Sequence, residues 1–301
     1  MKPDPLQPTW QLGRRAVRAL YAELVLEPKP GLVSLRDPGS HHDMDAGTFM
    51  RSLFSLRHYF AAITRAGAAD APFADLEALG RHAEARMLAA TRGVNTHRGA
   101  IFGLGLLCAS GGRRSAQGRP LDAAGLQDTL QHTWGEALHE RAARARQRKP
   151  RSHGEQAARH HGLRSAGDEA ADAFPTLFHT TLPVLQQATR QGWPQRSARV
   201  QTLFATMAVL DDTNLVHRGG IEGLHFARRA ARDFLAAGGA DRPDWLAHAR
   251  ALHAAFVARR LSPGGSADLL GSACWIASVC HPVEPVPMQL AATAAAAAAA
   301  A

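Results

Sequence analysis

The sequence is poor in several things, and each shortage excludes something. Three cysteines occur among 301 residues, Cys108, Cys274 and Cys280. Their number is odd, their spacing fits no zinc motif, and all lie in apolar stretches, so they read as buried thiols in a reducing compartment. No apolar run reaches membrane-spanning length and no signal peptide is recognisable, so the expectation is a cytoplasmic protein without a membrane partner. Ile, Tyr and Thr are sparse while Ala and Leu dominate, which favours helix strongly over sheet. There is no Gly-x-x-x-x-Gly-Lys-Ser/Thr and no Gly-x-Ser-x-Gly elbow, and Gly103-x-Gly105 falls inside a helical segment. P-loop, α/β-hydrolase and dinucleotide-fold chemistry are therefore excluded.

What is abundant is positive charge. The formal net charge is +9, and Arg far outnumbers Lys; the resulting pI near 10.6 implies anionic partners. The stretch most able to receive one is 91–105, where Asn95, Thr96, His97 and Arg98 run into a segment apolar on every side. That pattern predicts a central buried helix whose first turn and unsatisfied N–H groups face an interior anion site. A related string recurs at 211–220, where Asn214, His217, Arg218 and a glycine follow Asp211 and Asp212. The likeness is either coincidence or a sign that the two strings face each other across one site, with His97 and His217 close together.

The rest of the chain is expected to form one helical domain over 10–280, preceded by a loose terminus, 1–9, and followed by an irregular or artefactual tail, 281–301, that ends in an alanine run. Apolar spacing predicts helices over 10–26, 76–90, 126–147, 199–211 and 244–260, with a loop at 111–125. Lys29 sits in a Pro-rich turn and is either a surface charge or a rigidly held phosphate contact. His41 and Asp43 precede a helix and are either metal ligands or neighbours of an N-cap. Glu84 borders a buried stripe and is either paired or functional. Residues 141–167 are dense in Arg, Lys and His and read as a solvated or mobile connection. Asp211 continues the apolar stripe of its helix inward, which requires a cation, Mg2+ or Arg218. Ser262-Pro-Gly-Gly-Ser266 is a Gly-rich turn opening onto a helix, a possible phosphate cradle.

Taken in order, Pro28-Lys-Pro-Gly-Leu-Val, Gly39-Ser-His-x-Asp-Met-Asp, Ala83-Glu-x-x-Met, the 91–102 string, Asp211-Asp-Thr-Asn, His217-Arg-Gly-Gly and Ser262-Pro-Gly-Gly-Ser-Ala-Asp-Leu-Leu resemble the triphosphoribosyl-dephospho-CoA synthase family over about 15–275. Val33-Ser-Leu, Ser55-Leu-Arg-His-Tyr-Phe and Leu106-Leu-Cys-Ala resemble its malonate decarboxylase branch more than its citrate lyase branch. The resemblance implies an all-α enzyme that joins ATP to 3′-dephospho-CoA, makes 2′-(5″-triphosphoribosyl)-3′-dephospho-CoA and releases adenine. It also implies partners, namely a transferase that attaches the product and an acyl-carrier protein that receives it; monomer and homodimer stay open.

On that resemblance, Asp211 and Asp212 would position Mg2+ on the triphosphate. Lys29, Asn95, Thr96, Arg98, Asn214, His217 and Arg218 would hold substrate, with Ser262, Gly264, Gly265 and Ser266 as a further cradle. His97 would act in catalysis or on phosphate, and Asp43 or Glu84, with His41 as neighbour, would supply the base or the carboxylate that stabilises the ribosyl cation. An α-linked product implies inversion, hence direct displacement without a covalent enzyme intermediate. The chain departs from the family pattern in three places: Arg92 and Ala173 stand where the pattern has Gly, and Gly167 stands where it has Arg, with Arg164 nearby. Two rivals remain, a metal-dependent nucleotide hydrolase using His41, Asp43, Asp211 and Asp212, and a nucleic-acid binder suggested by charge alone; the expectation is no nucleic-acid partner.

Overall fold

In a computed structural model that describes residues 7–150 and 152–280, the described chain is helical throughout, with no strand. The helices are α1 Gln7–Leu24, α2 Ala46–Ala68, α3 Phe73–Ala90, α4 Arg98–Ala116, α5 Ala123–Gln147, α6 His153–His161, α7 Ala166–Ala171, α8 Leu182–Arg190, α9 Gln195–Met207, α10 Thr213–Ala236, α11 Trp245–Ala258 and α12 Gly264–Cys280. A π-helical turn, Leu177–Thr181, leads into α8, and a 3₁₀ turn, Gly239–Asp241, precedes α11. The all-α expectation holds. So does the expectation for α4, which is buried along most of its length from Ala100 to Gly112 and packs against α1, α2, α3, α5 and α12.

Small residues let α4 sit so deep. A Cβ on Gly112 would lie 2.0 Å from the Thr64 carbonyl oxygen of α2, and one on Gly67 of α2 would lie 2.0 Å from that of Ala109. The two backbones therefore touch, and this contact keeps Gly111 and Gly112 inside the helix where the composition suggested a loop. The connection shrinks to 117–122. The helix starts are capped by the residues their sequences offer: Asp45 for α2, Asp122 for α5, Ser152 for α6, Ser165 for α7 and Asp212 for α10. The Gly39–Asp45 motif is thus in part a capping sequence.

Three more expectations are corrected. The first helix begins at Gln7, so 7–9 are helical, while 1–6 and 281–301 lie outside the described residues. Residues 153–161, expected in a loose connection, form α6 and pack against α10. Helix α9 stops at Met207, so Asp211 does not prolong its apolar stripe.

Two apolar clusters hold the described residues together. The larger is built chiefly from α1 to α5, α7, α8 and α12, and the smaller from α9, α10 and α11. Helix α12 serves both, giving Leu269, Ala273, Trp275 and Ile276 to the first and Ala267 and Leu270 to the second. Its N-terminal turn is where the polar motifs gather. Cys108, Cys274 and Cys280 are free thiols; burial pushes all three above the ordinary thiol range, which keeps them unreactive.

Candidate active site

Three helix N-termini, those of α4, α10 and α12, converge, and carboxylates tie them together. Asp212, 1 % exposed, caps its own helix by accepting from the Asn214 N–H at 3.1 Å and from its side-chain amide at 3.2 Å. Its other oxygen accepts from the Ser266 N–H at 2.9 Å and hydroxyl at 3.1 Å, so one side chain fastens α10 to α12. Asp268, one turn into α12, lies against the start of α4, beside the Ala100 N–H. Gly99 makes this approach possible: a Cβ there would lie 1.9 Å from Asp268 Oδ2. Each of the motifs at 95–100, 211–214 and 262–268 therefore contributes to one basin.

The floor of the basin is a buried ion pair. Lys29 is 2 % exposed, and its ammonium donates to the Glu23 carboxylate at 2.6 Å and to the Glu23 carbonyl at 2.7 Å. Burial lowers the Lys29 pKa, and the Glu23 charge opposes that shift. The lysine is neither a surface charge nor an unpaired phosphate contact. His97 lies nearby and is 3 % exposed. Its Nδ1 is 2.6 Å from Ser52 Oγ, the Phe49 ring packs on it edge-on at 4.9 Å, and its Nε2 is buried without a partner. Burial first, and the Lys29 charge second, bring its pKa down to about 3, so the ring is neutral at pH 7. The Thr96 hydroxyl is likewise buried without a partner. Asn95 Oδ1 accepts from the Arg98 N–H, at the start of α4, at 3.1 Å.

A second polar group sits at the beginning of the α12 motif. His41 Nε2 is 2.9 Å from Ser262 Oγ, and its Nδ1 is 3.6 Å from Asp43. Burial and the adjacent Arg218 charge bring the His41 pKa down to about 4, so this imidazole too is neutral at pH 7. Arg218 donates to the backbone carbonyls of Arg260, at 2.7 Å, and of Ser40. It lies just before the kink at Gly219 and Gly220 that breaks α10.

Several expected roles fare differently. Arg98 and Glu84 were expected as a phosphate contact and a catalytic carboxylate, but they pair with each other, the Nε–Oε1 distance being 2.6 Å. Asp211 is half-buried and meets neither Arg218 nor Asp212. It accepts from Arg228 at 2.6 Å and from the Arg164 N–H at 2.9 Å. The two aspartates thus turn apart, because Asp212 is committed to capping while Asp211 faces α10's later turns. They do not fit Mg2+ as a ligand pair, and among the described residues no group of three or more His, Cys, Asp or Glu side chains is placed to hold a metal ion. The expected meeting of His97 and His217 is also replaced by other partners. His97 packs with Ser52 and Phe49, whereas His217 stacks on His153 of α6 at 4.0 Å.

Arg164, near the altered loop, binds Glu169 at 3.2 Å and Asp172 at 2.7 Å, while Glu169 also accepts from the Thr176 N–H at 3.1 Å. The loop is closed by these contacts despite Gly167. Both other departures from the family pattern fall on left-handed backbone: Arg92 has φ +58° and Ala173 has φ +53°. Sequence reasoning missed Glu23 and left Asp268 without a role. The one signal for Glu23 was its place six residues before Lys29.

The sequence profile described as ATP:dephospho-CoA triphosphoribosyl transferase matches residues 9–285. The chain is 38 % identical over 278 residues to a probable 2-(5″-triphosphoribosyl)-3′-dephosphocoenzyme-A synthase of Acinetobacter calcoaceticus, covering 92 % of this chain and 94 % of the relative. It is 40 % identical over 271 residues to the 2-(5″-triphosphoribosyl)-3′-dephosphocoenzyme-A synthase of Pectobacterium atrosepticum, with 86 % of each chain covered. A probable synthase of Vibrio cholerae is 37 % identical over 271 residues, 88 % of this chain and 86 % of the relative. No solved structure matches.

Proposed function

Because the chain belongs to the ATP:dephospho-CoA triphosphoribosyl transferase family and is a triphosphoribosyl-dephospho-CoA synthase, we propose that the basin where α4, α10 and α12 meet is its reaction centre. One observation carries this placement: three separated motifs are joined there by Asp212 and Asp268, around His97 and Thr96 atoms that are buried and unpartnered.

The substrates are ATP and 3′-dephospho-CoA, both polyanions, which gives the basic balance of the chain a use. The ribose 2′-hydroxyl of dephospho-CoA attacks the ribosyl carbon of ATP, and the bond to adenine breaks while the triphosphate stays attached. His41 and Asp43 suit the removal of the hydroxyl proton. The imidazole is neutral, one nitrogen is held by Ser262, and the other has only the Asp43 carboxylate beside it. Thr96, His97, Asn214, His217, Arg218 and the 262–266 turn would hold the phosphates, with N–H groups of helix starts among their donors. Glu84 holds Arg98 at the rim of α4 and has no proton-transfer role in this reading. Mg2+ would come with the triphosphate, as an ion that usually keeps several waters, since Asp211 and Asp212 turn apart and do not fit it as a pair.

The finer assignment, supply of the prosthetic-group precursor to malonate decarboxylase through a partner transferase and an acyl-carrier protein, rests on Val33-Ser-Leu, Ser55-Leu-Arg-His-Tyr-Phe and Leu106-Leu-Cys-Ala. Among the described residues no helix is long and apolar enough to cross a membrane. The test is incubation with ATP, Mg2+ and dephospho-CoA, read by mass spectrometry. Free adenine and the triphosphoribosyl adduct are expected together. Loss of ATP without dephospho-CoA would favour a hydrolase and overturn the reading.

A further inference from the structure

We infer that Asp268 is the proton donor to the departing adenine, an assignment that rests on the reaction proposed above. Direct displacement with inversion places the group that activates the nucleophile and the group that assists departure on opposite sides of the sugar. The His41–Asp43 pair meets α12 at Ser262, before the helix begins, whereas Asp268 stands in its first turns. The basin thus has one proton-handling group at each end of the same motif.

The surroundings of Asp268 differ from those of Glu23, Glu84, Asp211 and Asp212. Glu23 is neutralised by Lys29, Glu84 by Arg98 and Asp211 by Arg228. Asp212 is bonded to two helix starts. The Asp268 carboxyl meets the Ala100 N–H and is otherwise flanked by two further acids, Glu23 and Asp212. It is less enclosed than Glu23 and Asp212, both of which are buried. Burial raises the Asp268 pKa well above the ordinary carboxylate range, and the like charges of Glu23 and Asp212 act in the same direction. A carboxyl whose protonated form is favoured in this way suits a donor. The second sign of a ligand here is His97, whose Nε2 is buried and unpartnered at the start of the same α4 turn that Asp268 touches.

The step balances as follows. The 2′-hydroxyl oxygen forms a bond to the ribosyl carbon and its proton passes to the His41–Asp43 pair. The carbon–nitrogen bond to adenine breaks, its electron pair goes to the base, and a ring nitrogen takes the Asp268 proton. Both groups then exchange one proton with solvent, so none is consumed overall.

The experiment compares Asp268→Asn with the unaltered enzyme on two substrates, ATP and ATP methylated at N7, whose base departs without needing a proton. Asp268→Asn is expected to lower kcat with ATP by about 10²-fold or more, the usual contribution of a positioned acid, with KM little changed and near-normal turnover of the methylated substrate. Equal slowing on both substrates, or unchanged turnover of ATP, overturns the assignment. Should the variant not fold, the pH profile of the unaltered enzyme decides: loss of activity toward high pH with ATP but not with the methylated substrate supports the donor, and parallel profiles refute it. If the unaltered enzyme makes no adduct from ATP and dephospho-CoA, the underlying reaction is wrong as well, a failure distinct from a defect seen only in the variant.

Discussion

Glu23 and Lys29 show how much one buried pair decides. Both side chains are almost fully enclosed, at 7 % and 1 % exposure. Removing one partner of such a pair leaves an uncompensated charge in a low dielectric, which costs about 3–5 kcal/mol. Glu23→Gln or Lys29→Met is expected to lower the unfolding free energy by about that amount in urea titrations. The double variant should lose less than the sum of the two, because no unpaired ion remains. Additive losses would mean that the two groups stabilise independently. His97 makes a separate prediction about pH. Its folded pKa is about 3 against an ordinary 6.5, so below pH 6.5 the unfolded chain takes up a proton that the folded one refuses. Its contribution is fully present above 6.5 and declines as pH falls toward 3, by about 1.4 kcal/mol per unit. His97→Gln should flatten the stability curve over that window by close to one proton relative to the unaltered protein. Curves of the same slope would show that His97 titrates normally.

At the scale of elements, two turns carry conformations that their residues do not favour. Arg92 follows the Thr91 cap of α3, and Ala173 follows α7; both have left-handed φ, where a Cβ is unfavourable. The family pattern puts Gly at each position, and the backbone explains why. Arg92→Gly and Ala173→Gly are each expected to stabilise the fold by up to about 1 kcal/mol, the cost of left-handed backbone outweighing the added freedom of the unfolded chain. Thermal melting should show the two gains adding, since the turns share no partner; a loss at either position would show that its side chain contributes more than the turn costs. The same segments show what the sequence made legible. The uninterrupted apolar run after Arg98 foretold the buried α4, and the Ser262–Asp268 string foretold a helix start at the site. The Asp211–Asp212 pair misled, because helix spacing was extended past Met207, where the chain leaves α9 and Asp212 becomes a cap. Residues 153–161 were hidden for a different reason. Their composition is polar, and only Ala157 and Ala158 are buried against neighbours, a contact that spacing cannot reveal without knowledge of α10.

For the molecule as a whole, the proposed site lies where the two apolar clusters are joined by α12, in a chain of strong positive balance. Within the basin the cations are mostly spoken for: Lys29 by Glu23, Arg98 by Glu84, and Arg218 by two backbone carbonyls. The recruitment of ATP and dephospho-CoA therefore depends less on a single strong phosphate clamp than on the summed field of the chain and on those N–H groups of helix starts that Asp212, Asp268 and Asn95 do not take. These two contributions respond differently to salt. The field is screened beyond about 8 Å at physiological ionic strength, whereas hydrogen bonds to enclosed helix N-termini are screened far less. Raising NaCl from about 50 to 500 mM should then lower kcat/KM for ATP several-fold through slower capture, while kcat changes little. The comparison is made with Mg2+ saturating and with a neutral osmolyte as control. A fall in kcat of similar size would place the salt-sensitive charge inside the reaction centre, which would require Lys29 or Arg98 to leave its carboxylate and bind phosphate directly.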